Sequence, residues 1–254
     1  MQTLGYTPLE PVRVARPVDR IDYIVSQCAG RHVLDLGCYD ETALVKRDTE
    51  TWLHGRIARV AASVIGVDSS DAVPQEGVVT GPRSRIVRGD VLALGGPTLE
   101  GAGGGDLATA SIGSLGAPDA SAIEVVVAGE LIEHLPDTLS FLRAVKARWA
   151  GRRLILSTPN ATSFTNVVLG AASRESNHRD HLQIYSFKTL HTLCLRAGFE
   201  SWTVVPYHVR FTEMALRLAG ARRAMVGAAE RAVNLWERCF PLHAGGLILD
   251  VGRI

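Results

Sequence analysis

Short apolar runs with the composition of strands alternate along this chain with longer stretches at helical spacing. The apolar runs are rich in Val, Ile and Leu, and they cover residues 32–37, 63–68, 85–90, 123–129 and 153–160. Continuous apolar runs of this length are typical of strands buried on both faces, which indicates a parallel sheet. The alternation therefore predicts a doubly wound α/β fold with helices on both faces of the sheet.

The stretches between these runs predict helices over residues 19–29, 44–62, 138–150 and 187–199. The last should end at Gly198, because glycine readily adopts the left-handed conformation of a helix C-cap. Residues 209–240 predict one or two amphipathic helices, as a lid or a homodimer contact, before a terminal strand within 243–254. Residues 95–121 are crowded with Gly, Ala and Ser and predict a flexible insertion. We expect one domain over residues 1–254.

Composition and charge argue against several classes of protein. The 254 residues carry a formal net charge of +1, which gives no electrostatic basis for general nucleic-acid binding. The four cysteines are scattered and form no CxxC pair, so we expect a reducing cytosol. We find neither a signal-peptide pattern nor an apolar run long enough to span a bilayer. We therefore expect a cytoplasmic protein with no membrane partner.

Polar residues follow several of the predicted strands where those strands end. Gly37 follows the first strand, Asp68 ends the second, and Asp90 with Val91 follows the third. Ligands of open α/β sheets bind beyond the carboxyl ends of the strands. There, Asp68 can accept hydrogen bonds from two ribose hydroxyls, and Asp90 with Val91 suits the amino group and flat face of a base.

The segment GELIEHL, residues 129–135, places Glu130, Glu133 and His134 directly after the fourth predicted strand. If a helix begins after Gly129, these three side chains lie at positions i, i+3 and i+4 and share one helix face. Such a face can hold a metal ion, or it can present the histidine as a general base. The later segment NHRDH offers His178 and His181 as further ligands on the same side of the sheet.

The chain resembles class I S-adenosylmethionine-dependent methyltransferases over about residues 20 to 205. The matching segments, in the family's order, are VLDLGC (33–38), VIGVD (64–68), RGDV (88–91), VVVAGELIEHL (125–135), LILSTPN (154–160) and LRAGFE (195–200). The resemblance implies a Rossmann-like, seven-stranded, mostly parallel sheet whose last strand is antiparallel.

Roles carry over from this family to matching positions. The resemblance places Asp35, Gly37 and Cys38 by the methionine part of S-adenosylmethionine. It places Asp68 and Ser69 by the ribose, and Asp90 and Val91 by the adenine. Ala128 and Gly129 would line the sulfonium side. The family usually has GCGxG where this chain has GCYDE, so Tyr39 and Glu41 replace two glycines near the cofactor's amino-acid end.

The pattern ExxEH followed by a downstream DH resembles the metal site of small-RNA 3′-terminal 2′-O-methyltransferases, and some quinone-biosynthesis O-methyltransferases carry a similar ExxEH. On that likeness Glu130, Glu133, His134 and His181 would hold the ion. Oxygen ligands point to Mg²⁺, and two imidazoles leave Mn²⁺ and Zn²⁺ open. Metal-free relatives also carry Glu-His-Leu at this point, so His134 as a base without metal, assisted by Glu130, stays an alternative.

These observations predict an S-adenosylmethionine-dependent methyltransferase that acts on a hydroxyl of a small molecule or a glycan, with metal assistance as an open question. One alternative is methylation of an RNA 3′ end, which the near-neutral charge disfavours. Another is a protein that binds S-adenosylmethionine without catalysis, which the GCYDE departure leaves open.

Overall fold

The computed structural model describes residues 11–39, 49–92 and 122–254. The predicted insertion at 95–121 and residues Asp40 and Glu41 lie outside these ranges. In chain order the helices and strands are α1 (Arg20–Cys28), β1 (His32–Leu36), α2 (Leu53–Val60), β2 (Ser63–Asp68), β3 (Val78–Gly81), β4 (Ser84–Arg88), β5 (Val125–Gly129), α3 (Thr138–Arg148), β6 (Arg153–Pro159), α4 (Phe164–Ala171), α5 (Phe187–Ala197), β7 (Thr203–Tyr207), α6 (Thr212–Leu216), α7 (Gly220–Cys239) and β8 (Gly246–Val251). Short 3-10 turns cover Ile132–His134 and Pro241–His243.

The described strands form one eight-stranded sheet in the order β3-β4-β2-β1-β5-β6-β8-β7. The central pairs β4–β2, β2–β1, β1–β5 and β5–β6 are parallel. Strand β8 inserts antiparallel between β6 and β7, and β3 pairs antiparallel with β4. The chain order and the parallel core confirm the predicted α/β fold with a late antiparallel strand.

The two faces of the sheet carry separate apolar cores, because side chains alternate between faces along each strand. Leu34 and Leu36 of β1 pack with Phe141 of α3 and Leu190 of α5 on one face. Val33 of the same strand packs on the other face, in a cluster that takes in residues of α1 and α2. The sheet is therefore covered on both sides, as the apolar runs predicted.

Local chemistry explains where the helices begin and end. The Asp19 side chain accepts a hydrogen bond from the Asp22 amide and caps α1. Ser186 and Thr189 form a reciprocal capping box at the start of α5. The same helix ends at Gly198 with φ of 79°, as predicted from the sequence. The described residues contain no helix long and apolar enough to cross a membrane.

The prediction of seven strands was wrong by one, and the sequence pattern also missed where some elements lie. Strand β3 has no buried residue, so it lacks the apolar run by which we recognised strands. Strand β7 contains Pro206, which is unusual inside a sheet. Helix α4 follows β6 and was not predicted; it buries none of its residues. Of the helix predicted over 44–62, the described part is helical only over Leu53–Val60.

Candidate functional site

The residues predicted to bind the cofactor lie along one edge of the sheet, because the parallel strands end in register. Leu36 of β1 pairs with Val67 of β2 and with Ala128 of β5. Gly129 in turn pairs with Ser157 of β6. The carboxyl ends of the four strands β2, β1, β5 and β6 therefore meet at one edge, where ligands of such folds bind.

A tight turn after β1 begins this edge. Gly37 has φ of 67°, a conformation that L side chains rarely adopt, and its amide donates to Val67 O at 2.9 Å. An added Cβ would lie 2.8 Å from Leu131 Cδ1, so this glycine also allows the close approach of the segment after β5. The indole Nε1 of Trp52 donates to Cys38 O at 3.3 Å and holds the next residue of the turn.

Asp68 lies at the end of β2, with only 8% of the residue exposed. Its Oδ2 accepts from the Tyr39 amide at 2.8 Å and its Oδ1 accepts from the Ser70 amide at 2.9 Å. The carboxylate therefore ties the turn after β1 to the turn after β2. A carboxylate oxygen can accept more than one hydrogen bond, so these two bonds do not by themselves rule out a bond from a hydroxyl. The neighbouring Ser69 is exposed.

Asp35 does not lie at this edge. It is 2% exposed, and its Oδ2 lies 2.9 Å from Nδ1 of His54, which is 1% exposed. Nε2 of His54 lies 3.0 Å from Thr80 Oγ1 and 3.1 Å from Ser84 Oγ. Asp35 therefore anchors a buried polar network on the α2 face of the sheet. Its contact with the cofactor stays a prediction.

The remaining predicted cofactor residues fall into exposed and buried positions. Asp90 is exposed and accepts from the Leu92 amide at 2.8 Å, while Val91 is 8% exposed and packs in the core. Ala128 is completely buried in the same core, and Gly129 ends β5 beside the side chain of Leu53. The exposed carboxylate of Asp90 next to a buried Val91 is compatible with the predicted adenine contact.

The segment after β5 is not the helix predicted from GELIEHL. Glu130 has φ of 55°, which breaks any helical path, and only Ile132–His134 form a 3-10 turn. Glu130 therefore does not share a face with Glu133 and His134. Instead its Oε1 accepts from the Tyr207 hydroxyl at 2.6 Å and lies 3.8 Å from Arg20 Nη1.

Arg20, Tyr207 and Glu130 form a partly buried cluster on the α1 side of β5. Arg20 Nη1 also donates to Ser157 Oγ at 3.2 Å, and its guanidinium lies 5.8 Å from the centroid of the Tyr207 ring. Burial alone would lower the pKa of Arg20, but the charges of Glu130 and Glu133 outweigh it and raise that pKa. Burial, then the charge of Glu130, raises the pKa of Tyr207 well above its ordinary value. Arg20 thus stays charged and Tyr207 stays neutral.

Glu133 has no exposed surface, and neither of its carboxylate oxygens has a hydrogen-bond partner among the described residues. Burial, and then the charge of Glu130, raises the pKa of this carboxyl to about 8. A buried carboxyl without partners is costly for the folded state. Burial therefore disfavours the charged form of Glu133, a cost that the nearby charge of Arg20 offsets only in part and that a bound cation would offset further.

Ligand atoms of Glu133, His134 and His181 lie within 4.8 Å of one another. Two backbone bonds bring the segments together, because Leu182 N and Gln183 N donate to Glu133 O at 2.8 and 3.2 Å. Nδ1 of His181 is buried without a partner, and burial, then the charge of His134, lowers the pKa of His181. Three of the four predicted metal ligands are thus brought together, and Glu130 is not.

His134 and His178 border this cluster in different ways. Nδ1 of His134 lies 3.2 Å from the backbone oxygen of Asp180. That carbonyl can only accept, so it favours the tautomer with a proton on Nδ1 and leaves the Nε2 lone pair available. The His178 ring lies 5.7 Å from the His181 ring, centroid to centroid, and outside the three-residue group.

The sequence analysis missed Arg20, Tyr207 and His54 as residues of the site region. Arg20 begins a helix and Tyr207 ends a strand that was not predicted, so no motif links them to Glu130. His54 lies in a predicted helix, and only its spacing from Asp35 across the sheet could have suggested the pair. Contacts between residues so far apart in the chain leave no local pattern.

Comparison with known proteins supports the fold and the methyltransferase family. A family model described as a methyltransferase domain matches residues 12–204. A ubiquinone biosynthesis O-methyltransferase of Xanthomonas oryzae pv. oryzae is 27% identical over 169 residues, which cover 65% of this chain and 59% of that protein. The protein of the same name from Xanthomonas campestris pv. campestris is 29% identical over the same coverage. The chain thus matches little more than half the length of these relatives.

Solved structures share the fold at low sequence identity. A DUF574 family protein from Streptomyces avermitilis superposes with a TM-score of 0.52 at 15% identity and covers 92% of this chain and 81% of its own. A small RNA methyltransferase gives a TM-score of 0.51 at 15% identity. The match covers 98% of this chain and 28% of the chain of that enzyme. Since the family model spans more than half of the chain, this chain belongs to the methyltransferase-domain family, in its class I S-adenosylmethionine-dependent form.

Proposed function

We propose that this protein transfers a methyl group from S-adenosylmethionine to a hydroxyl of a small molecule or a glycan, with a divalent metal ion held by Glu133, His134 and His181. One observation carries the metal part of this proposal. A completely buried carboxylate without hydrogen-bond partners lies within 4.8 Å of two histidine nitrogens, directly after the strand that ends at the cofactor edge.

The cofactor edge fits S-adenosylmethionine in its polar groups. Asp68 is fixed by two backbone amides at the end of β2, where a carboxylate can accept hydrogen bonds from ribose hydroxyls. Asp90 and Val91 offer an acceptor and an apolar surface two strands away from β1, where an adenine would be bound. When bound, S-adenosylmethionine supplies an activated methyl group on a positively charged sulfur. Asp68, Asp90 and Val91 would bind and orient this molecule.

The donor set decides which metal ions fit. One carboxylate and two imidazoles make a mixed oxygen and nitrogen set, which suits Mn²⁺ or Zn²⁺ better than Mg²⁺. The expectation of Mg²⁺ depended on a second carboxylate, and Glu130 contacts Tyr207 and Arg20 instead. A divalent ion, when bound, lowers the pKa of a hydroxyl that it contacts.

The residues of the chain hold and orient these groups. The backbone oxygen of Asp180 fixes the orientation of the His134 ring, and the backbone of Glu133 fixes the segment that carries His181. A neutral alcohol is a poor nucleophile, so it must lose its proton as it attacks the methyl group. His134 Nε2 would take that proton if the metal ion does not occupy it.

The cluster of Arg20, Glu130 and Tyr207 would hold the segment after β5 in one conformation beside the site. Arg20 contacts both Ser157 of β6 and Glu130 after β5, so it joins two strand ends. The strained backbone of Glu130 is held by the Tyr207 hydroxyl. We assign these residues a positioning role for the segment that carries Glu133.

The proposal is tested by transfer of a labelled methyl group to a panel of acceptors. The panel contains compounds with neighbouring hydroxyls, simple sugars, single alcohols and a short RNA with a free 3′ end. Protein treated with EDTA is assayed alone and after addition of Mn²⁺, Zn²⁺ or Mg²⁺. We expect turnover on a hydroxyl compound that returns with Mn²⁺ or Zn²⁺ and is lost in Glu133→Gln.

Other outcomes would contradict parts of the proposal. Turnover that survives EDTA would exclude a metal ion from the mechanism and leave His134 as a general base without metal. Turnover on the RNA alone would favour the 3′-terminal alternative. Binding of S-adenosylhomocysteine without turnover on any acceptor would favour a protein that binds the cofactor without catalysis.

A further inference from the structure

The apolar side of α7 faces solvent. Residues at three- and four-residue spacing along this helix lie on one side and are all exposed: Ala221, Met225, Ala228, Ala232, Leu235 and Cys239. Met225 is 71% exposed and Leu235 is 65% exposed. The only buried residue of the helix is a charged one, Glu237. A surface helix normally buries its apolar stripe, so α7 is inverted relative to that rule.

The polar side of α7 faces the protein because its two glutamates bind there. Glu237 lies 2.8 Å from His208 Nδ1, and its carboxylate also accepts from the Val209 amide at 3.3 Å. Glu230 accepts from the Phe211 amide at 2.7 Å and lies 3.5 Å from Arg210. These contacts with the segment after β7 fix the rotation of α7 and hold its apolar stripe outward.

Helix α4 extends this apolar surface. It contains no charged residue and no buried residue, and Val167 and Val168 are about half exposed. The two helices meet through aromatic rings. The centroid of the Phe164 ring lies 4.9 Å from that of Trp236, and the Trp236 centroid lies 4.4 Å from that of Phe240. Trp236 and Phe240 are themselves partly exposed, at 38% and 48%. We call the exposed apolar side chains of α4, α7 and Phe240 the outer apolar face.

The exposed charged residues of α7 have one sign. Arg222, Arg223, Arg231 and Arg238 of α7 are all exposed. None of them forms an ion pair within the described ranges 11–39, 49–92 and 122–254. Both glutamates of the helix are turned inward and occupied. The whole chain has a formal net charge of +1, so this cationic surface is a local feature.

We infer that the outer apolar face docks on the surface of an anionic lipid bilayer, with the arginines of α7 at the phospholipid headgroups. An exposed helix with Trp, Leu and Met on one side and unpaired arginines beside them has the composition of interfacial helices. Arginine side chains can extend their charge toward headgroups while their stems cover apolar surface. This surface binding differs from spanning a bilayer, and it replaces the expectation of no membrane partner.

Charge argues against a second copy of the chain as the occupant. In a two-fold pair of α7 helices the same side chains flank the contact on both copies. Arg231 and Arg238 would then face arginines of the other copy, with no exposed acidic residue of α7 to neutralise them. An anionic lipid surface supplies the opposite charge. The inference does not depend on the proposed methyl transfer, because its test measures vesicle binding and not turnover.

The test is sedimentation of the whole protein with vesicles of phosphatidylcholine mixed with phosphatidylglycerol, and with vesicles of phosphatidylcholine alone. We expect binding to the anionic vesicles that weakens at high salt. The double variant Met225→Asp with Leu235→Asp removes the apolar contact, and Arg231→Glu with Arg238→Glu reverses the charge. Each should reduce the partition coefficient at least about tenfold. Matched controls are Val79→Asp and Arg83→Glu, exposed at the other end of the sheet, which should bind as the wild type does.

Three results would overturn the inference. The first is that wild-type protein stays in the supernatant with anionic vesicles. Equal binding to neutral vesicles would show that the arginines do not contribute. If vesicles are not bound and the aspartate pair converts a dimer into a monomer in sedimentation velocity, the outer apolar face is instead a contact between copies of the chain.

Discussion

Two carboxylates near one sheet edge, Asp68 and Glu133, are both buried, yet their surroundings differ. Both oxygens of Asp68 accept backbone amides, whereas neither oxygen of Glu133 has a partner among the described residues. A satisfied carboxylate stabilises the turns that it joins, and it can hold a ligand without any change of charge. An unsatisfied one costs stability until a proton or a cation neutralises it. The comparison separates a carboxylate whose hydrogen-bond partners the chain supplies from one for which we propose a bound metal ion.

The largest expected effect on cofactor binding is on the satisfied side of this comparison. Asp68→Ala removes the acceptor for ribose hydroxyls and also leaves two backbone amides unpaired. We expect binding of S-adenosylhomocysteine to weaken by about 10²-fold or more in isothermal titration. Asp68→Asn is the matched control, since it keeps one acceptor oxygen and should lose less. Unchanged affinity in the alanine variant would place the ribose elsewhere.

His134→Ala tests the surroundings of Glu133 by removing the imidazole beside that carboxyl. We expect turnover of an accepted hydroxyl compound to fall by roughly 10²–10⁴-fold, whether the ring acts as ligand or as base. Affinity for S-adenosylhomocysteine should stay the same, because Asp68 is untouched. The matched control is His178→Ala, near His181 in the segment between α4 and α5 but outside the three-residue group. An active His134→Ala protein would return GELIEHL to a structural role.

Tyr207→Phe tests the cluster of Arg20, Glu130 and Tyr207. The variant removes the hydroxyl that donates to Glu130 at 2.6 Å, and we expect a loss of about 1.5–3 kcal/mol in the free energy of unfolding. Tyr23→Phe removes a similar bond to Asp250 at 2.7 Å, far from Glu133, and is the matched control. Both variants should lose stability in urea titrations, but only Tyr207→Phe should lower turnover. Equal turnover in the two would contradict the positioning role.

The smallest expected effect is a change in melting temperature that depends on pH. The pKa of Glu133 is raised from 4.5 to about 8 in the folded protein, so the carboxyl favours the folded state while it is protonated. That contribution is complete below the pKa that Glu133 has in the unfolded chain, and it is lost as the pH rises through about 8.

Glu133→Gln cannot ionise, so without metal it should melt above the wild type by a margin that grows from about pH 5 to about pH 9. Differential scanning calorimetry measures this margin. Mn²⁺ or Zn²⁺ should raise the melting temperature of the wild type and not that of the variant. A margin that is independent of pH would show that Glu133 is not held in an apolar environment.

The sequence could locate the strand ends but not the conformation of the segments that follow them. Val33–Leu36 and Ser63–Asp68 were predictable because continuous apolar runs between polar residues have few structural solutions. The helix expected after Gly129 was wrong because Glu130 adopts a left-handed conformation, which its bond to Tyr207 helps to hold. That bond joins residues 77 positions apart, beyond the reach of any local pattern.

The sequence by itself determined the α/β class, the positions of the core strands along the chain, the Gly198 cap and the placement of polar residues at one sheet edge. These follow from periodicity and from the intrinsic preferences of single residues. Only the tertiary structure decided that Asp35 pairs with His54, that Glu130 lies apart from Glu133, His134 and His181, and that α7 turns its apolar side to solvent. Each of these depends on contacts between distant segments, whose energies outweigh local preference.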